Sequence, residues 1–273
     1  MTVATAPSGL RSAPSLPDDV PAIQARGLGR DFGAVTALRS LDLDVGRGEF
    51  FGFLGPNGAG KTTTIHLLAT LIRPTRGSAR VEGRDALREP LEVRRRIGLV
   101  FQESTLDRNL TVEQNLAFAA RLYDLPGGAA RRRIDELLDV FDLRDRRADL
   151  VRHLSGGMRR AVDVARGVLH APALLFLDEP TLGLDPAARR RTWKLLHRLR
   201  GDRRMTFFLT THYLEEAESC DRVAVLHRGE LLACGTPAEV RGAALSLEDA
   251  FLSLTVDHLP VEASGPATDE EPA

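Results

Sequence analysis

Eight residues constrain this chain more than any others: Gly55-Pro56-Asn57-Gly58-Ala59-Gly60-Lys61-Thr62, in which glycine, a second glycine, lysine and a hydroxyl fall at the offsets of a phosphate loop. That pattern has chemical meaning only between a strand and a helix. The flanks supply both, since Glu49 to Leu54 is a short apolar run that reads as a buried strand, and Thr63 to Leu68 carries helical periodicity. Glycines let the backbone close around phosphate oxygens, so that successive N–H groups and the positive end of the helix point at the anion. Lys61 would reach the terminal phosphates of a nucleotide and Thr62 would ligate magnesium. A glycine-rich surface turn is the competing reading, which the flanking strand and helix disfavour.

Length and charge narrow the remaining choices. With 273 residues the chain can bury a large core, as one domain or two lobes. A formal net charge of -1 gives no footprint for nucleic acid, and the basic runs Arg131–Arg133 and Arg189–Arg191 read as solvated helix faces. Lys61 and Lys194 are the only lysines, so Lys61 is hard to dismiss as a random surface charge. Cys220 and Cys234 have neither metal-ligand spacing nor the numbers for a disulfide framework, and they read as ordinary buried thiols in a reducing cytosol. No apolar stretch reaches the roughly 18 residues needed to span a bilayer, so work at a membrane would require another chain to do the spanning. Residues 1–21 lack the apolar segment of a secretory signal and read as a disordered leader. Residues 242–273 read as a short C-terminal extension, largely disordered after 260.

Between these ends the apolar runs predict a mostly parallel α/β core. Ile23–Asp31 and Leu41–Val45 alternate apolar and polar residues, suggesting antiparallel strands ahead of the loop. Phe32 lies between them, placed either to stack on an adenine ring or to anchor the turn. Gly77–Gly83 is a short strand between glycines, and Ile97–Phe101 is an apolar strand running into Gln102, where ligands gather in open sheets. From about residue 103 to 160 the signals turn helical: Thr111 with Gln114 resembles a capping box, Gly127 and Gly128 break the run, and Arg131–Phe141 is amphipathic. Ser155, Gly156 and Gly157 then open a helix over Arg159–Leu169, either as a second anion site or as an ordinary helix start.

Ala173 to Leu177 is a buried strand that delivers Asp178 and Glu179 at its exit. Unpaired buried charge is costly, so adjacent carboxylates there point to chemistry. Asp178 suits a magnesium-linked acid and Glu179 a residue that orients or deprotonates water. A pair capping the next helix is the alternative. Thr206–Thr210 repeats the design and leads to His212, whose imidazole could donate to a phosphate oxygen. Arg222–His227 and Glu230–Ala233 meet around Arg228-Gly229 as a hairpin.

In order and spacing, Gly55–Thr62, Gln102, Leu154–Met158, Leu174–Glu179, Gly183–Asp185 and His212 resemble the motifs of the ATP-binding cassette family over roughly residues 23–240. The resemblance implies an ATPase domain over residues 22–241, with a parallel-sheet core, an N-terminal antiparallel β subdomain and an inserted α-helical subdomain. It implies ATP and magnesium as cofactors. Phe32 would stack the adenine, and Gly55 to Thr63 would hold the phosphates. Thr62 would ligate the metal, Asp178 would bind it through water, Gln102 would act in catalysis by sensing metal and attacking water, and Glu179 would be the base, with His212 on the terminal phosphate. Ser155, Gly156, Gly157 and Asp185 would complete a nucleotide site, with Ser155 and Gly157 touching the nucleotide of a second copy.

The segments Phe101–Asp107, Leu110–Leu116 and Leu247–Leu252, with Met158 in place of glutamine, resemble the drug- and polyketide-efflux branch of exporters. That branch implies a homodimer on a membrane-spanning permease at the cytoplasmic face of the cell membrane, powering efflux of a drug-like or hydrophobic compound. A soluble cassette ATPase without a transport role is the other class considered. Its long coiled-coil and double-cassette forms would need heptads or a second cassette, which the chain lacks.

Overall fold

The structure, a computed structural model, describes residues 20–200 and 205–256. The expected leader, except Val20 and Pro21, and the expected disordered tail lie outside the described residues. The chain runs β1 (Ile23–Phe32), β2 (Val35–Val45), β3 (Phe50–Leu54), α1 (Lys61–Leu68), β4 (Arg76–Val81), β5 (Arg84–Asp85), α2 (Pro90–Arg94) and β6 (Ile97–Val100). It continues with α3 (Val112–Leu122), α4 (Gly127–Val140), α5 (Gly156–Gly167), β7 (Leu174–Asp178), α6 (Pro186–Arg200), β8 (Thr206–Thr211) and α7 (Leu214–Glu218). Last come β9 (Arg222–His227), β10 (Glu230–Gly235), α8 (Pro237–Arg241) and α9 (Leu247–Val256).

Two sheets divide the work. β2, β1, β4 and β5 form an antiparallel sheet, whereas β10, β9, β3, β8, β7 and β6 form a six-stranded sheet in that spatial order. Within the second, all pairings from β9 to β6 are parallel and only the β9–β10 hairpin is antiparallel. Parallel strands covered on both faces are apolar throughout, and β3 and β7 are buried at every position. Because side chains alternate across a strand, Phe50 and Leu54 join one core while Phe51 and Phe53 join the other. The first core packs α3, α4, α5 and α6 against the sheet, and the second packs α1 with β1, β2 and β4. Phe50 stacks on Phe207 at 4.7 Å and Phe51 on Phe208 at 5.5 Å, and each such fully buried ring contributes about 1.5–3 kcal/mol.

Local signals explain the helix starts. Thr111 and Gln114 make both bonds of a capping box at α3, and Ser155 accepts from Met158 N at the start of α5. Several expectations need correction. α5 begins at Gly156, earlier than the expected Arg159, because the Ser155 cap captures the glycines into the first turn. Gly127 and Gly128 open α4 rather than break the run, following Pro126 at the cap position. Arg133 is not simply solvated, since it donates to the Val168 and Leu169 carbonyls at 3.1 and 3.2 Å. Arg189 lies over the Tyr213 ring at 4.0 Å. Cys220 is buried as expected, but Cys234 is exposed on the edge strand β10.

Candidate functional site

Register brings the predicted residues to one edge of the large sheet. Leu54 pairs with Thr211 between β3 and β8, and Asp178 pairs with Thr210 between β7 and β8. The loop after β3, the acids after β7 and the histidine after β8 therefore leave the sheet side by side, at the carboxyl ends of adjacent parallel strands.

The loop's shape is set by close backbone approaches. A Cβ at Gly55 would lie 2.3 Å from the Leu226 carbonyl oxygen, and one at Gly60, where φ is +106°, would lie 2.4 Å from the Ala37 oxygen. Neither position admits another residue without moving backbone. Asn57 and Gly58 form the exposed tip, Pro56, Gly60, Thr62 and Thr63 are half-buried, and Ala59 is buried.

Lys61, with its side chain 5% exposed, donates from Nζ to the Gly55 and Pro56 carbonyls at 2.8 and 3.1 Å and pairs with Glu179 Oε1 at 3.2 Å. The other Glu179 oxygen lies 3.3 Å from His212 Nδ1, within ion-pair reach, although that nitrogen lacks a hydrogen bond of good geometry. Glu179 thus stands between the loop lysine and the histidine, 8% exposed. Its backbone is left-handed, with φ +42°, a conformation that costs a non-glycine residue about 1 kcal/mol or more.

Asp178 Oδ1 accepts from Thr62 at 3.2 Å and from Thr210 at 2.6 Å, and Thr210 Oγ1 in turn accepts from Glu179 N at 3.0 Å. Thr62 and Asp178 are hard oxygen donors side by side, a set suited to magnesium. Among the described residues no cluster of three or more His, Cys, Asp or Glu could hold a metal by itself. The Thr62–Asp178 pair, one hydroxyl beside one carboxylate, suits an ion carried largely by substrate phosphates, as magnesium prefers.

Other predicted residues stand apart from this group. Gln102 is exposed beyond the end of β6, on the same sheet edge, and no described hydrogen bond joins it to Thr62 or Asp178. Phe32 is 46% exposed at the β1–β2 turn, with the Arg30 guanidinium 4.5 Å from its ring centroid. Ser155 and Gly156 are exposed at the N-terminus of α5, and Gly157 packs near Ala188 of α6. Asp185 caps α6, accepting from Ala187 N and Ala188 N at 2.9 Å; those donors, Ala188 foremost, hold its carboxyl below the usual range.

Three residues that frame the site carried no motif. Thr210 has just been described. Glu216 is buried and accepts from Thr181 and from Thr211, the latter at 2.7 Å, tying the loop after β7 to the end of β8. Arg160 of α5 is buried and donates to Phe101, Asp178 and Pro180 carbonyls. A usable signal existed for the last: Arg160 and Asp163 sit on the same helical face as Val164 and Val168, where charge is out of place.

Comparison with known proteins agrees with this geometry. Residues 38–182 match the family described as ABC transporter, a segment that contains the phosphate loop, Ser155 and Glu179. The daunorubicin/doxorubicin resistance ATP-binding protein DrrA of Streptomyces peucetius is 46% identical over 221 residues, which is 81% of this chain and 67% of that protein. A solved ATP-binding subunit of an ABC transporter superposes with a TM-score of 0.76 at 32% identity, covering 85% of this chain and 99% of the other. A dimeric ATP-binding cassette in a post-hydrolysis state, bound to ADP and Pi, superposes with a TM-score of 0.71 at 27% identity over 78% of this chain and 98% of that one. With its phosphate loop inside the matched segment and a relative this similar across four-fifths of its length, the chain belongs to the ABC transporter family and is one of its ATPases.

Proposed function

We propose that this chain is the ATP-hydrolysing subunit of an exporter of drug-like or hydrophobic compounds, acting as a pair on a separate membrane-spanning subunit at the cytoplasmic face of the cell membrane. Among the described residues no helix is long and apolar enough to cross a membrane, and in this reading the partner does the spanning. The efflux assignment rests on the drug-resistance relatives, and the pairing on likeness to the dimeric cassette.

The observation that carries the enzymatic part is the placement of Glu179 between Lys61 and His212. In this reading the Gly55–Thr63 backbone and Lys61 hold the phosphates, and Phe32 stacks on the adenine. Thr62, Asp178 and Gln102 would hold magnesium, which when bound would neutralise phosphate charge. Glu179 accepts the proton of the attacking water, and His212 donates to a terminal phosphate oxygen. Ser155, Gly156, Gly157 and Asp185 face the second copy, so that ATP joins one chain's loop to the other's α5. Loss of the terminal phosphate removes that link, and the resulting opening moves the membrane partner as a rigid body.

Glu179→Gln tests it. The amide keeps shape but cannot take a proton, so ATP binding should persist, an ATP-bound dimer should accumulate by light scattering, and turnover should fall about 10²- to 10⁴-fold. Turnover at the wild-type rate would refute the assignment.

A further inference from the structure

Arg160 lies in the second turn of α5, 6% exposed, and its guanidinium spends three different nitrogens on three backbone carbonyls. Nε donates to Pro180 O at 2.6 Å, Nη2 to Asp178 O at 3.1 Å and Nη1 to Phe101 O at 2.6 Å. Two of those carbonyls flank Glu179 on either side, and the third immediately precedes Gln102. No described carboxylate forms an ion pair with Arg160; Asp163 and Asp178 favour its charge only at longer range, and burial pulls its pKa below the ordinary arginine value. Burying a cation this way is costly, and an aliphatic side chain filling the same space would avoid that cost. What an aliphatic residue could not do is hold three diverging carbonyls in one plane, the geometry that a rigid guanidinium fork imposes.

That geometry coincides with the one strained backbone in the site. Glu179 adopts φ +42°, and a left-handed non-glycine residue persists only where its surroundings over-determine it. Thr210 fixes the Glu179 N–H from one side. We propose that Arg160 is a positioning residue for hydrolysis, whose guanidinium clamps the carbonyls on both sides of Glu179 and so sets the aim of its carboxylate between Lys61 and His212. This rests on the reading of Glu179 as the base. Arg160 also lies on the helix that Ser155 begins, so a displacement of the α5 N-terminus is delivered to Glu179 and to the residue before Gln102.

The test uses the full-length chain with Arg160→Lys, which keeps the charge and loses the fork, and Arg160→Gln, which keeps a donor and loses the charge. Steady-state ATPase activity, calorimetric ATP affinity and thermal melting are measured on both. Misplacing a reacting group by about 1 Å costs on the order of 10²-fold, so kcat should fall about 10- to 100-fold while KM and ATP affinity stay within about twofold. In the Glu179→Gln background, Arg160→Lys should lower the residual rate less than about twofold, because no base is left to aim. Wild-type kcat in a folded Arg160→Lys protein, or an undiminished loss in the double variant, overturns the proposal. Failure of both variants to fold also overturns it, since Arg160 would then serve the fold and not the site. Wild-type turnover in Glu179→Gln alone defeats the underlying base assignment, whereas an inactive Glu179→Gln beside a fully active Arg160→Lys defeats the clamp alone.

Discussion

Thr210→Val isolates the hydroxyl on which both acids depend. Valine keeps the branched shape and strand preference of threonine at a position with no exposure, so little cavity or propensity cost enters. Two hydrogen bonds disappear: the 2.6 Å donation to Asp178 Oδ1 and the 3.0 Å acceptance from Glu179 N. A hydrogen bond to a charged group contributes about 1.5–3 kcal/mol, and a buried N–H left without a partner costs about 1–3 kcal/mol. Asp178 keeps its bond from Thr62 at 3.2 Å, which offsets part of the first loss, so the net cost should be about 2–4 kcal/mol. Against a domain stability of about 5–15 kcal/mol this is a large fraction, and the melting temperature should drop by about 5–12 °C.

Urea titration measures the first quantity and calorimetry the second. Thr210→Ser is the control, because it keeps both bonds and forfeits one buried methyl, about 1 kcal/mol. Turnover should follow the same order, since freeing Glu179 N removes one restraint on its strained backbone. Equal stability of the valine and serine variants, or a loss under about 1 kcal/mol for valine, would refute the assignment of Thr210 as the shared strut.

Two more perturbations probe the fold away from the site and the phosphate loop itself. His170 stacks on Tyr123 at 3.7 Å with Nε2 2.9 Å from the Ile97 oxygen, and its buried Nδ1 has no partner; burial pushes its pKa down to about 4 from the ordinary 6.5. The unfolded chain therefore binds a proton on His170 below pH 6.5 that the folded chain refuses until pH 4, so stability is lost as the pH is lowered from 6.5 to 4, by about 3 kcal/mol in total. His170→Phe should flatten that part of the urea-midpoint profile, and an unchanged slope between pH 6.5 and 4 would count against the buried neutral imidazole. Gly55→Ala places a methyl 2.3 Å from the Leu226 oxygen, so the loop must shift, and fluorescent-nucleotide titration should show at least about tenfold weaker ATP binding; wild-type affinity would mean that the loop tolerates the shift.

How much of this was legible in the chain itself depends on range. The phosphate loop, the acidic exit of β7, the Thr111 capping box and the β9–β10 hairpin are written in residues a few positions apart, where turn chemistry, periodicity and capping act. Those signals were enough to name the fold class and the resemblance to cassette ATPases. They failed where a neighbour in space decided the outcome. Arg133 and Arg189 read as solvated from the sequence but meet distant carbonyls and a ring.

The sequence alone, then, determined which segments could be strands and helices and which residues carry phosphate and proton chemistry. Only the tertiary structure decided that β4 returns to pair with β1, and that register sets Thr210 opposite Asp178. It alone revealed that Arg160 reaches carbonyls 18, 20 and 59 positions away. The physical reason is that strand register and the partners of a buried donor are settled by packing between elements remote along the chain. No local pattern encodes which carbonyl a buried guanidinium will meet.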